Sequence, residues 1–336
     1  MRLIRAIHWL RALALTSVLA VSALALVACG GEEDPTANFP ERDIEWFVGF
    51  DAGGGFDVAS RIIAEAMSED LGVNVVVRNI PGGGGRRAVQ EIARGVPDGY
   101  SISIVNMPNQ ITAELLDPEG IDFNSLGWIG RAVIQTYGYY TAEKNPWTSV
   151  EQVAASTPEP RFCLTGLSGH SFLVAAISTQ ELSIPWHPVT GYGAAEIRAA
   201  LLRGDCELGV GPIAGDTLTA VNGPDFKVLW MFSDERFGPV PDAPTITELG
   251  YPDVGGASLA NNGLVMAPPG TPDAILDKLS AALNKALADP DVAAGIAKAG
   301  MEVSTQTRAQ SAASVKAMFG VVEENIGIVQ ERSKSQ

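Results

Sequence analysis

The chain is short of cysteine and histidine, with three of each among 336 residues. His8 and Cys29 lie near the N-terminus, which leaves His170 and His187, with Cys163 and Cys206, for the body of the chain. No metal-ligand spacing links them, so no metal centre is expected. Basic residues are scarce too: 23 Lys and Arg stand against 39 Asp and Glu, a formal charge of −16. That balance excludes a general nucleic-acid binder, because no cationic excess exists to displace counterions. It does not exclude an anionic small ligand, whose binding depends on a local field and on oriented backbone N–H groups. The 36 glycines and 21 prolines show no period, so collagen-like and low-complexity readings fall away. Past the N-terminal end there is no apolar run long enough to span a bilayer.

What is present is ample core material, with 46% hydrophobic residues in a chain too long for one comfortable core. The first 28 residues carry Arg2, Arg5 and Arg11 and no acid, then an apolar run that ends at Leu26-Val27-Ala28-Cys29. A basic start, a short apolar stretch and a small residue before a cysteine describe an export signal; an N-terminal membrane anchor is the alternative. Leu-Val-Ala-Cys resembles the bacterial lipobox, which makes Cys29 the expected lipidation site. Residues 29–40 read as a polar tether. Loss of the signal removes three arginines and no acid, so the charge becomes −19. Cys163 and Cys206 then lie outside the membrane, as a disulfide or as two buried thiols.

Along the mature chain DIEWFVGF reads as a strand and residues 56–71 as a helix, from the spacing of Val58, Ile62, Ile63, Ala66, Met67 and Leu71. VNVVV, AVQEIARGV and YSISIVN continue as strand, helix and strand. A second series begins near Pro160: RFCLTG, FLVAAISTQEL, a short strand over 184–187, AAEIRAALLRG, CELGVG and KVLWMF. LVMAPPG supplies one more strand, and two helices, DAILDKLSAALNKALAD and RAQSAASVKAMFGVVEENIGIVQER, close the chain. The pattern predicts an α/β protein of two lobes with parallel-rich sheets flanked by helices, and ligands at the carboxyl ends of the strands.

The strand-to-helix turns are therefore the candidate sites. Ala52-Gly53-Gly54-Gly55-Phe56-Asp57 lets backbone N–H groups approach an anion, with Asp57 placed to cap the helix. Val58 stands where a dinucleotide fingerprint needs its third glycine. Pro81 to Gly85, followed by Arg86 and Arg87, lacks the Gly-Lys-Ser/Thr of a phosphate loop and reads as a structural turn. Thr165-Gly166-Leu167-Ser168-Gly169-His170-Ser171 misses the hydrolase pattern G-x-S-x-G, because His170 stands at the last position. Two hydroxyls, an imidazole and free amides at a helix start suit a carboxylate better than a triad. Asp216 and Thr217, after Gly209 to Gly215, are cleft residues or helix caps.

Four stretches in order, FPERDIEWFVGFDAGGGFDVASR, VVVRNIPGGGGRRAVQEIARGVPDGYSISI, SDERFGPVPDAPTITELGYPD and NNGLVMAPPGTPDAILDKLSAALNKALADPDV, resemble the substrate-binding proteins of tripartite tricarboxylate transporters, the Bug receptors. The resemblance implies a two-lobe Venus-flytrap fold, a lipid-anchored or periplasmic receptor, a carboxylated solute and a membrane permease pair as partner. It implies no enzymatic activity and no cofactor. Ligand contacts are expected from Ala52, Gly53, Gly54, Phe56 and Asp57, from Asn106 and Asn109, and from Thr165, Ser168, Gly169, His170 and Ser171. Tyr192 and Asp216 complete the expected set. The chain departs from the family pattern at Asp51, Phe56 and Phe172, and the Pro-Tyr-Lys pattern of the next loop is broken at Pro188 to Tyr192. Phe56 and Tyr192 together suggest an aromatic carboxylate.

Lobe 1 is expected over 41–140 and 253–336 and lobe 2 over 141–252, hinged near 138–145 and 250–258 and closing on the ligand in a monomer. Two other classes are open: an exported hydrolase using Ser168 with His170 or His187, and a receptor that signals to a membrane partner. Ester turnover lost on Ser168→Ala would mark the first, and a neighbouring sensor kinase gene the second.

Overall fold

The computed structural model describes residues 36, 38–164, 166, 169–233, 235–252 and 259–334, without the side chains of 194, 195 and 332–334. The export segment, Cys29, Thr165 and Ser168 lie outside the described residues, as does most of the second expected hinge. The chain divides into two compact units. Of Met1–Phe39 little more than a turn is described, in which the Phe39 N–H donates to the Thr36 carbonyl; Pro40–Gln336 holds everything that follows.

The larger unit runs β1 (Ile44–Val48), α1 (Gly55–Leu71), β2 (Val75–Asn79), α2 (Arg86–Ala93), β3 (Ser101–Met107), α3 (Asn109–Leu116), β4 (Gly127–Gln135), β5 (Tyr137–Ala142) and α4 (Val150–Ala154). It continues with β6 (Arg161–Cys163), α5 (His170–Glu181), β7 (His187–Val189), α6 (Ala194–Arg203), β8 (Leu208–Pro212), α7 (Gly215–Val221) and β9 (Phe226–Phe232). It ends with β10 (Asn261–Ala267), α8 (Asp273–Leu287), α9 (Pro290–Lys298), β11 (Glu302–Gln306) and α10 (Arg308–Lys334). Sheet A has the order β11-β4-β10-β3-β1-β2 and sheet B the order β7-β6-β8-β5-β9.

Both sheets are mixed. In sheet A, β1 pairs β2 and β3 in parallel, while β10 runs antiparallel to β3 and β4, and β11 antiparallel to β4. In sheet B, β6 is parallel to β7 and β8, and β5 runs antiparallel between β8 and β9. The strand expected over 184–187 begins only at His187, because Pro185 has no N–H to give a ladder; Pro188 is tolerated because β7 is an edge.

The chain changes sheets at Thr136, ahead of the 138–145 segment: Gln135 still pairs Asn261, while Tyr137 pairs Pro212 and Phe232. A boundary at 140/141 would cut through β5. The return crossing lies between Phe232 and Asn261. One hydrophobic cluster serves both sheets. Val105, Trp128 and Leu264 from sheet A share it with Tyr139, Phe162 and Trp230 from sheet B, and α10 adds Val315, Met318 and Val322. Helix α10 packs on β4 and on both α3 and α5.

Cys163 and Cys206 are joined in a buried disulfide with a Cα–Cα distance of 5.8 Å, which decides between the two readings of these thiols. The bond ties the end of β6 to the approach to β8. Among the described residues no helix is long and apolar enough to cross a membrane, and no group of three metal-ligating side chains forms.

Candidate functional site

The pairing registers place the functional turns on two facing edges. At sheet A, parallel strands β1, β2 and β3 end at Val48, Asn79 and Met107, beside the start of β10 at Asn261 and the end of β4 at Gln135. At sheet B, β6, β7 and β8 end at Cys163, Val189 and Pro212, beside Tyr137. The crossing at Thr136 makes the two edges neighbours.

The first turn is built around Asp57. Its buried carboxylate accepts from the Gly53 N–H at 2.8 Å and from Asn79 Nδ2 at 2.9 Å, and pairs with Arg61 at 2.8 Å. Burial alone would raise the Asp57 carboxyl, but Arg61, the Gly53 amide and Asn79 together hold it below the usual carboxylate range. The Asp57 carboxylate is thus engaged in bracing the turn. Gly53 takes φ +84°, a conformation open to glycine, and Ala52, Gly53 and Gly54 stay exposed. Gly54 precedes α1 without a capping side chain, so the opening of that helix faces outward uncapped.

Phe56 turns inward. Its ring stacks on Phe50 at 4.9 Å between centroids and lies against Gly263, where a Cβ would stand 3.0 Å from Cε1. At 7% exposure it offers no aromatic platform to a ligand.

The glycine turn read as structural forms the adjoining wall. Gly82 to Gly85 all have positive φ, and a Cβ on Gly49 would come within 2.6 Å of the Gly85 Cα. Gln110 Nε2 donates to the Gly84 carbonyl at 2.7 Å and to Asn106 Oδ1 at 2.9 Å. Arg86 anchors this wall through Glu114 at 2.8 Å and Glu119 at 3.2 Å, which supplies the anion its position at a helix start required. Asn106 and Asn109 are both buried beneath the wall, and Asn109 Oδ1 and Gln110 Oε1 have no hydrogen-bond partner.

On the opposite edge Gly169 opens α5 without a capping side chain, and His170 and Ser171 are buried behind it. His170 Nε2 lies 2.9 Å from the Leu259 carbonyl, and its ring meets Tyr137 edge-on at 4.6 Å. Burial lowers the imidazole to about 4, against the opposing pull of that carbonyl, so His170 is neutral near pH 7. It contacts both connections between the sheets, the strand after Thr136 and the return segment at Leu259. Tyr192 is half-buried against the sheet B cluster around Tyr140 and Cys163. The Asp216 side chain is 89% exposed.

Arg198, on α6, was read from sequence only as part of the helix AAEIRAALLRG. Its side chain is 16% exposed, donates to Thr217 Oγ1 at 3.1 Å and stands 3.6 Å from Asp216. It lines a recess of about 410 Å³ with Gly55, Gln135, Ala214, Thr217 and Gly300. The recess therefore joins the opening of α1 to the turn after β8. Its cation comes from a helix two elements away in sequence, and no local motif marks it.

Comparison with known proteins gives a consistent answer. The family model described as the tripartite tricarboxylate transporter family receptor, TctC, matches residues 59–328. A UPF0065 protein from the gbd 5' region of Cupriavidus necator is 28% identical over 92% of this chain and 94% of its own. The protein BugT of Bordetella pertussis is 26% identical over 92% and 98%. A TctC solute-binding protein from Polaromonas superposes with a TM-score of 0.76 at 22% identity, over 87% of this chain and 99% of that one. The periplasmic binding protein BugD gives 0.66 at 26% identity over 85% and 98%. R. palustris Rpa4515, solved with adipate, gives 0.71 at 21% over 87% and 99%. With two facing sheets, turns gathered on their adjoining edges and a family match over most of its length, the chain belongs to the TctC receptors, the solute-binding proteins of tripartite tricarboxylate transporters.

Proposed function

We propose that this receptor captures a small carboxylate between its two lobes and presents it to the membrane permease subunits of a tripartite tricarboxylate-type transporter. The observation that carries the reading is the recess between the sheets with Arg198 as its cation, facing the uncapped start of α1 at Gly55. A fixed guanidinium is suited to a carboxylate's paired oxygens, and the exposed Asp216 can yield its place to one. Asp216 acts as a lid on the cation rather than as a ligand contact. The exposed backbone of Ala52, Gly53 and Gly54, the buried Asn106 and Asn109, and the 165–171 turn complete the proposed site. Two sheets joined at Thr136 and through 233–260 form the proposed lobes, closing on the ligand as a monomer. Cys29 carries the lipid that anchors the receptor outside the membrane.

Adipate on the related R. palustris protein supports the chemical class. Phe56, stacked on Phe50, does not support an aromatic requirement, so Phe56→Thr is expected to weaken aromatic and aliphatic acids equally. The testing experiment is a thermal-melt screen of the purified protein against mono-, di- and tricarboxylates with neutral controls. A ligand at 100 times its Kd adds about 2.7 kcal/mol, several degrees of Tm. Arg198→Met is expected to cut carboxylate affinity about 10- to 100-fold, the range of a hydrogen bond to a charged group. A response as large with neutral solutes, or unchanged in Arg198→Met, would overturn the reading.

A further inference from the structure

The recess that holds Arg198 is lined by four polar side chains, and they divide unevenly between the two sheets. Arg198, Asp216 and Thr217 come from α6 and α7 on the sheet B side. Gln135 is the last residue of β4, so it is the polar side chain that sheet A contributes; Gly55, Ala299 and Gly300 add none.

Gln135 also lies between the two connections that join the sheets. It is followed by the crossing at Thr136 and pairs with Asn261, the first residue of β10 after the return. Asn261 is buried, and its Nδ2 donates to Gln135 Oε1 at 3.0 Å. Gln135 itself is half-buried, and its Nε2 has no hydrogen-bond partner among the described residues. A side-chain amide can be seated in either sense, and an anion decides between them. The sense seen here leaves the two N–H donors of Gln135 for the anion, whereas the reverse would set Oε1 against its charge.

We propose that Gln135 is a solute-contacting residue whose Nε2 donates to an oxygen of the acid held on Arg198; this rests on the carboxylate reading above. A solute bound by a helix of sheet B and by the last residue of β4 bridges the two sheets. Both bonds then form together only at one spacing of the proposed lobes, and the solute favours the arrangement in which they do.

The test is calorimetric titration of the full chain in detergent with butanoate, adipate and citrate. The wild type is compared with Gln135→Met, Gln135→Glu and Arg198→Met. Gln135→Met keeps the length of the side chain and removes the donor; it is expected to weaken binding about 10- to 100-fold, the range of a hydrogen bond to a charged group. Gln135→Glu keeps an acceptor for Asn261 and puts a carboxylate oxygen in place of the donor, so it is expected to weaken binding further. Thermal melts without solute report whether each variant is folded, and loss of the Asn261 bond cannot explain a weakening shared by both. Butanoate has oxygens only at its acid group. Weakening with all three acids therefore puts Gln135 on the carboxylate that Arg198 holds, and weakening with adipate and citrate alone puts it on a second one. Unchanged affinity in Gln135→Met, whatever Gln135→Glu does, would overturn the contact. If Arg198→Met is weakened in that case, the carboxylate reading stands without Gln135. If Arg198→Met also binds as the wild type does, or the wild type takes none of the three acids, both readings fall.

Discussion

The two edges that meet at the cleft are held by different means. On the sheet A side each turn is braced from behind by side chains: Asp57 fixes the first, and Gln110, Arg86 and Glu114 fix the second. On the sheet B side Arg198 reaches the recess from α6 and donates to Thr217, Asp216 extends into solvent, and the disulfide anchors the β6 end. One half presents a preset backbone surface, while the other presents individual side chains that can be exchanged without disturbing a turn.

The largest test of this contrast removes the one covalent tie. Cys163→Ala with Cys206→Ala opens a link across a sequence separation of 43 residues, worth about 4 kcal/mol on a chain-entropy model. Thermal melts should show the loss, and hydrogen exchange should place it in sheet B; an equal rise in sheet A would erase the contrast. Next comes Arg86→Met, which removes the charge partner of the buried Glu114 carboxylate and leaves it only the backbone N–H groups of Glu119, Gly120 and Ile121; it should cost about 3 kcal/mol in denaturant melts. Because the pair supports the second turn, exchange should quicken around Gly82 to Gly85 and spare α6.

Acid provides a third test. The folded His170 value of about 4 lies below the ordinary 6.5, so the unfolded chain binds the extra proton first as pH falls. Stability is therefore whole above pH 6.5 and declines towards pH 4, by roughly 3 kcal/mol at most. His170→Gln, whose amide can still donate to Leu259, should remove that slope; an unchanged pH profile of stability would show that His170 does not carry it. Val96→Ser and Leu202→Ser, at positions 67% and 47% exposed, should move stability by less than about 0.5 kcal/mol on either side.

Much of this was legible in residue order, and the exceptions have causes. Apolar runs located β1 and β3, the second buried on both faces, and helical spacing located α1 and the closing helices, because apolar residues gather where they meet the core. β4 was not read from its own pattern: Gly127, Gly130 and Arg131 interrupt it, and its place depends on β10 and β11, more than 120 residues further on. Strand direction was likewise invisible, since β10 runs against β3 only through pairs such as Asn262 with Met107. Asp57 was read as both cap and ligand, and the structure gives its carboxylate to Gly53, Asn79 and Arg61. Arg198 had no motif, because the recess that gives it meaning is assembled from five separate segments.

The hydrophobic cluster shared by the two sheets has a thermodynamic consequence. Val105 and Leu264 of sheet A belong to one buried cluster with Tyr139 and Trp230 of sheet B, and α10 extends the same cluster. The two sheets should therefore melt as one cooperative body, giving a single calorimetric peak whose measured and van't Hoff enthalpies agree. The proposed opening and closing of the cleft would then be a flexure inside one folding unit, so that tightening the cleft and stabilising the whole molecule would be a single act.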